Sequence, residues 1–228
     1  MTVLQRDNEG LALRTPNGVT VRAATEFLSA PRPGKDLLGR AIKAALRSRV
    51  GSAAPERGEI IDATAGLGAD SFHLAAVGLE VTMVERVPQV AELLRDALER
   101  AAAGLLGENA RLAAGNLTLE VGDARTVLEA RVAAGRPPWV VYLDPMYPKQ
   151  KKAALPGKGM ALFRELVGED IDSVRLLETA MRCAERRVVV KRPRKATYLG
   201  GYEPTGSLEG SSTRYDLYAP LVTPTAAK

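Results

Sequence analysis

The stretch Ile60-Ile-Asp-Ala-Thr-Ala-Gly-Leu-Gly-Ala-Asp70 passes from a short apolar run through two glycines into a helix-like segment. That is the layout of a nucleotide-binding turn. Glycine lets backbone approach a ligand closely, and the following helix N-terminus offers unpaired N–H groups. Around it, strand and helix patterns alternate. Glu59–Thr64 reads as a buried strand, Ala69–Val77 as a helix and Glu80–Glu85 as the next strand. Pro88 suits a first helical turn, and Val90, Leu93, Leu94, Ala97, Leu98 and Ala101 follow it at helical spacing. Leu117–Gly122, Trp139–Leu143 and Arg187–Lys191 read as further strands, with helices over Ala124–Ala134, Met160–Val167 and Asp172–Ala184. Tyr215–Tyr218 reads as a late antiparallel strand. The succession predicts an α/β fold, a mainly parallel, doubly wound sheet whose strand C-termini and loops share one edge.

Ahead of this alternation, Leu11–Arg22 alternates apolar and polar residues about Asn17-Gly18, a pair that favours a tight hairpin turn. Pro31-Arg-Pro-Gly-Lys35 then breaks the chain before a helix over Asp36–Arg49, with Leu37, Leu38, Ile42, Ala45 and Leu46 on one face. The chain therefore divides into a hairpin-and-helix extension, 1–50, and a larger domain, 51–228.

The 228 residues are 46% hydrophobic and 26% charged, which suits one large globular core. No run approaches the roughly 18 apolar residues of a membrane helix, and Met1–Gly10 lacks a signal-peptide core. A single cysteine, Cys183, excludes an internal disulfide, and a single histidine, His73, leaves no Cys/His nucleophile pair or zinc set. The expectation is a cytoplasmic protein with no metal, no membrane contact and a helix position for His73. Nothing in the residues sets an oligomeric state.

Net charge is +5, concentrated in two runs. One holds Lys149, Lys151, Lys152 and Lys158 without an acid; the other holds Arg182, Arg186, Arg187, Lys191, Arg192, Arg194 and Lys195 against Glu185 alone. Read as following strands on the ligand-bearing edge, both runs point to a polyanion such as RNA or DNA; the alternative is solvated loops.

Three acids refine the turn. Glu85 ends the second strand 17 residues after Gly68, close to the spacing at which a carboxylate takes ribose hydroxyls. Asp123 ends the third strand, where it could accept from an adenine amine or simply cap a helix. Asp70 opens the helix where a pyrophosphate would sit, and a dinucleotide turn would carry glycine at Ser71. Negative charge there suits a ligand with an ammonium and no phosphate, and S-adenosylmethionine fits better than NAD. Asp144-Pro-Met-Tyr-Pro148, after the strand Trp139–Leu143, resembles the Asp/Asn-Pro-Pro-Tyr/Phe signature of class I amino-group methyltransferases, with Met146 for the second proline. An exocyclic base amine is a poor nucleophile because its lone pair is delocalised. Asp144 and the carbonyl of Pro145 would accept its N–H groups, and Tyr147 would stack on the base, a contact worth about 1–3 kcal/mol. The alternative is a strand-to-loop turn with a packed tyrosine.

Asp62–Asp70, Glu85-Arg86, Tyr142–Pro148 and Val188-Val-Val-Lys-Arg-Pro193 together resemble the RsmJ family of bacterial ribosomal RNA methyltransferases, as do the spacing of Lys152, Lys158, Met160, Phe163 and Leu166-Val-Gly168, and Arg214-Tyr-Asp216. The resemblance covers roughly Glu59–Ala219. It implies a Rossmann-like class I methyltransferase fold and methyl transfer from S-adenosylmethionine to N2 of a guanine in small-subunit (16S) rRNA, with the rRNA or the small ribosomal subunit as partner. Carried over by position, the cofactor contacts are Ala69, Asp70, Glu85, Arg86, Asp123, Ala124 and Asp144; Asp62, Gly66 and Gly68 of the turn complete the cofactor-binding candidates. Ala69 stands where the family has arginine, and Asp123-Ala124 where two serines are common. Asp144, Pro145 and Tyr147 are the catalytic candidates. Lys149, Lys151, Lys152, Lys158, Lys191 and Arg192 are the RNA-contact candidates. The competing readings are methylation of adenine N6 or of a protein amide, an NAD-linked oxidoreductase, and a non-catalytic RNA-binding protein.

Overall fold

Seven strands form the central sheet of a computed structural model that describes residues 2–29, 36–47, 58–146, 159, 161–163 and 172–221. They are β4 (Ile60–Asp62), β5 (Val81–Glu85), β6 (Leu117–Val121), β7 (Val140–Leu143), β8 (Arg187–Pro193), β9 (Gly206–Glu209) and β10 (Thr213–Tyr218), in the order β6-β5-β4-β7-β8-β10-β9. Strands β4 to β8 pair in parallel, and β10 runs antiparallel to both β8 and β9. In order along the chain this is 3-2-1-4-5-7-6, so a strand is inserted antiparallel beside the fifth, unlike the 3-2-1-4-5-6 sheet of dinucleotide-binding domains. The order reverses between β4 and β7, and the C-terminal ends of those two strands open the crevice where such sheets bind ligands.

The central strands are apolar because both faces are covered. Side chains alternate along a strand. Ile60, Val140, Tyr142 and Val189 therefore meet Leu38, Ile42 and Leu74 on one face, from α2 (Leu37–Leu46) and α3 (Ala69–Ala76). Ile61, Val141, Leu143, Val188 and Val190 meet Leu128, Leu177, Ala180 and Met181 on the other, from α6 (Ala124–Ala133) and α7 (Ser173–Cys183). Helix α4 (Pro88–Ala102) starts at the expected proline and buries Val90, Leu93, Leu94 and Ala97. Among the described residues no helix is long and apolar enough to cross a membrane.

The N-terminal hairpin is there, with Gly18 at φ +76° in its turn, but it belongs to a three-stranded antiparallel sheet: β1 (Val3–Asp7), β2 (Gly10–Arg14) and β3 (Thr20–Val21). Leu13 and Val21 share a core cluster with Phe72, Leu93 and Leu94, so this sheet packs onto the larger one through α4. Helix α2 begins after Asp36, whose side chain accepts from the N–H of Gly39 at 2.7 Å and meets Nε2 of His73 at 2.8 Å. His73 is fully buried, a packing residue of α3. Short elements outside the expected set include β1, β9, α1 (Glu26–Ser29) and α5 (Glu108–Ala114). The chain break at 31–35 lies outside the described residues, as does all of the expected Met160–Val167 helix except 161–163.

Gly68 caps α3 with φ +84°, and a Cβ built on it would stand 2.6 Å from Phe72 Cζ and 2.9 Å from Leu94 Cδ2. Gly68→Ala is expected to lower the unfolding free energy by roughly 1–3 kcal/mol, through backbone strain and crowding of a rigid ring. A urea midpoint equal to wild type would contradict this packing role.

Candidate active site

A cleft of about 1020 Å³ lies at the reversal point, lined by Asp62, Gly66, Ala69, Asp70, Glu85, Arg86, Asp123, Ala124, Asp144, Pro145 and Lys191 among others. Of the described candidates, Gly68 alone is not part of this wall; its work is the helix packing above. Tyr147, Lys149, Lys151, Lys152 and Lys158 lie outside the described residues.

The glycine turn is latched by Glu85. Its carboxylate accepts from the N–H of Gly66 at 3.0 Å and of Val87 at 2.8 Å. Burial pushes its proton affinity up, and these N–H groups pull it partly back. Each carboxylate oxygen has two lone pairs, so acceptor capacity toward the cleft remains. Asp123 is the N-cap of α6, and one oxygen, Oδ1, accepts from the N–H of Arg125 and Thr126 at 3.1 and 3.2 Å.

Three aspartates and one lysine fill the floor of the cleft. Asp62 is fully buried and accepts from Ser71 Oγ at 2.5 Å and Thr64 N–H at 3.1 Å. Burial outweighs those bonds and, with Asp70 and Asp144 nearby, pushes its carboxyl up to about 7. Asp70 Oδ2 accepts from the Tyr142 hydroxyl at 2.6 Å and Lys191 Nζ at 2.8 Å. Lys191 Nζ also lies 2.6 Å from Asp144 Oδ2. Burial opposes the ammonium, but the two carboxylates outweigh it and hold Lys191 protonated beyond the ordinary lysine range. The N–H of Asp144 donates to Thr64 Oγ1 at 2.7 Å, which ties the end of β7 to the end of β4.

The second basic run is divided between interior and surface: Arg186 and Arg192 are buried, while Arg182, Arg194 and Lys195 are exposed. Arg182, Arg186 and Arg187 precede or start β8, at the sheet edge opposite the cleft. The Arg186 guanidinium stacks 3.7 Å above the Trp139 ring. Lys191 and Arg192, RNA-contact candidates that also line the cleft, both have partners within the protein. Lys191 is committed to two carboxylates, and buried Arg192 donates to the Thr197 carbonyl at 2.9 Å. Arg214 is engaged by Asp216 and by the carbonyls of Arg194 and Ala196, which fixes the loop after β8.

Thr64, Ser71 and Tyr142 escaped the sequence reading. A usable signal existed for Tyr142, since a tyrosine within a buried aliphatic strand needs a partner for its hydroxyl. The N-terminal segment also reaches the site: Arg22–Phe27 lines one wall, and the N–H of Ala24 donates to the Leu67 carbonyl at 2.8 Å.

Residues 1–220 match the family model described as "Putative SAM-dependent methyltransferase". Ribosomal RNA small subunit methyltransferase J of Pseudomonas syringae pv. syringae is 40% identical over 220 residues, covering 94% of this chain and 78% of that relative. The chain belongs to the RsmJ family. The same-named protein of Pseudomonas paraeruginosa is 51% identical over 162 residues, 71% of this chain, and the match spans only 60% of that relative's length. The crystal structure of a SAM-dependent methyltransferase from Neisseria gonorrhoeae superposes with a TM-score of 0.74 at 36% identity, covering 96% of this chain and 83% of that one. The fold is thus that of the Rossmann-like class I methyltransferases, and S-adenosylmethionine is the family's cofactor. The cleft fits it. The first turn of α3 carries Asp70 in place of a phosphate cradle, and the carboxylates of Asp70 and Asp144 outnumber the single Lys191 ammonium between them, which suits a cationic ligand.

Proposed function

We propose that this chain transfers a methyl group from S-adenosylmethionine to the N2 amine of a guanine in small-subunit rRNA, in the cytoplasm. The observation that carries the reading is the shared cleft: Glu85 at the end of β5 and Asp144-Pro145 at the end of β7 line one cavity across the reversal point. Glu85 is assigned to the ribose hydroxyls and Asp123-Ala124 to the adenine. Asp62, Gly66, Ala69, Asp70 and Arg86 form the surrounding wall. The bound cofactor supplies an electrophilic methyl on a sulfonium. Asp144 and the Pro145 carbonyl accept the N–H groups of the target amine, which frees its lone pair for attack. The Asp144 carboxylate then takes the proton released by the methylated nitrogen. Positioning carries most of the rate, since alignment alone contributes roughly 7–11 kcal/mol.

Tyr147 is assigned to stacking on a base turned out of its helix, and Lys149, Lys151, Lys152 and Lys158 to the RNA backbone. We retain 1–50 as an extension of a 51–228 methyltransferase domain, an extension that contributes the Arg22–Phe27 wall.

Glu85→Ala is expected to weaken S-adenosylmethionine roughly 10–100-fold, the loss of hydrogen bonds to a charged group, with little change in RNA affinity. The reverse ranking refutes the ribose assignment. The function is tested by incubating the protein with methyl-labelled S-adenosylmethionine and small ribosomal subunits from a strain lacking the gene, then digesting the RNA to nucleosides. Label in N2-methylguanosine supports the reading. Label in another nucleoside overturns the target, and no label on subunits or naked RNA overturns the activity.

A further inference from the structure

Lys191 and Asp144 form an ordered donor–acceptor array facing the cleft. Lys191 Nζ directs two of its three protons at Asp144 Oδ2 and Asp70 Oδ2, at 2.6 and 2.8 Å. Lys191 lines the cleft, so a third proton remains for a ligand. The Asp144 side chain is 39% exposed and the Asp70 side chain 8%, so Asp144 is the carboxylate that a substrate can meet. The array is held from both sides. Tyr142 anchors Asp70, Thr64 pins the Asp144 backbone, and Lys191 sits on β8 beside β7 with Tyr215 as its β10 register partner. Buried Asp62 is a further ionisable group nearby, and Arg192 lines the same cleft.

Read in order, the array offers one donor, the ammonium, and then two acceptors, the oxygens of Asp144. The Watson–Crick edge of guanine offers an acceptor, O6, and then two donors, N1–H and N2–H. Adenine offers a donor at N6 and a lone pair at N1, which would meet the ammonium and the carboxylate with the wrong sign. Unpaired polar groups in a closed site carry a large penalty, so such a mismatch discriminates strongly.

Resting on the guanine N2 function above, we propose that Lys191 is a specificity-determining residue. It donates to O6 of the target guanine while Asp144 accepts from N1–H and N2–H. Because Lys191 keeps its contact with Asp70 throughout, the incoming base meets an ammonium already in place.

The test compares wild type and Lys191→Met on RNA carrying either guanosine or 6-thioguanosine at the methylated position. Sulfur is a weak acceptor, and 6-thioguanine keeps N1–H and N2–H. With wild type, the sulfur substitution should lower kcat/KM roughly 10–100-fold, the value of one hydrogen bond to a charged group. Lys191→Met should lose a similar factor on guanosine and lose nothing further on 6-thioguanosine. Lys191→Arg, which keeps a cation, should retain sensitivity to sulfur and guards against a folding defect in the methionine variant. If turnover of Lys191→Met is too slow to follow, the same cycle is read from RNA Kd values in the presence of S-adenosylhomocysteine. Losses that multiply, with sulfur costing the methionine variant as much as wild type, overturn the proposal and leave Lys191 as a structural bridge. Absence of N2-methylguanosine with wild type on guanosine RNA overturns the function itself, and this inference with it.

Discussion

Asp144→Ala should lower kcat for methyl transfer by about 10²–10⁴-fold, the range for loss of a positioned proton acceptor, with the fold little changed. The fold should survive because the backbone bond from Asp144 to Thr64 Oγ1 does not need the side chain, and that side chain is 39% exposed at the end of β7. What the variant removes is the acceptor for the amine hydrogens. It also removes one of the two carboxylates on Lys191, whose ammonium keeps its bond to Asp70. A loss confined to kcat marks an interaction made in the transition state rather than in ground-state binding. Near-normal turnover by this variant would take Asp144 out of the mechanism.

The second large effect concerns stability and pH. Asp62 ionises near 7 in the folded protein, because burial outweighs its bonds from Ser71 and Thr64, against 3.8 as the ordinary value in the unfolded chain. The folded state therefore favours the neutral acid. Its contribution is complete below pH 3.8, declines as the pH rises, and is lost above about pH 7. A gap of that size corresponds to roughly 4 kcal/mol. Asp62→Asn cannot ionise, so its stability relative to wild type should climb by an amount of that order between pH 4 and pH 8. Urea unfolding of both proteins across that range gives the difference directly. A difference that stays constant with pH would mean that Asp62 is an ordinary ionised carboxylate.

The sheet was legible where burial and local pattern agree. Ile60-Ile61, Val140–Leu143 and Val188–Val190 are covered on both faces, so their apolar runs announce strands without alternation. Strand β1 escaped because all five of its residues are exposed and its sequence carries no face to read. Helix α5 is seven residues with Gly107 as its cap, too short for a helical period to stand out.

At the site, the acids at strand ends and in the first turn of α3 could be placed by the alternation of elements, and Asp62, Asp70, Glu85, Asp123 and Asp144 do line one cleft. How they are paired is a tertiary matter. Lys191 is separated from Asp70 by 121 residues, and only the adjacency of β7 and β8 brings its ammonium to both carboxylates. The same limit applies to the basic run at 182–195, where counting charges could not separate Arg186 on the Trp139 ring from a solvent-facing rim. Gly68 shows the limit in another form, since a positive φ serves ligand approach and ring packing alike, and only the position of Phe72 tells them apart.

The most direct test of the site is a crystal structure of the protein with S-adenosylhomocysteine. The account predicts the ribose hydroxyls on the Glu85 carboxylate, the adenine beside Asp123-Ala124, and the sulfur facing Asp144 and Pro145. A nucleoside bound outside this cleft, or a sulfur turned away from Asp144, would contradict it.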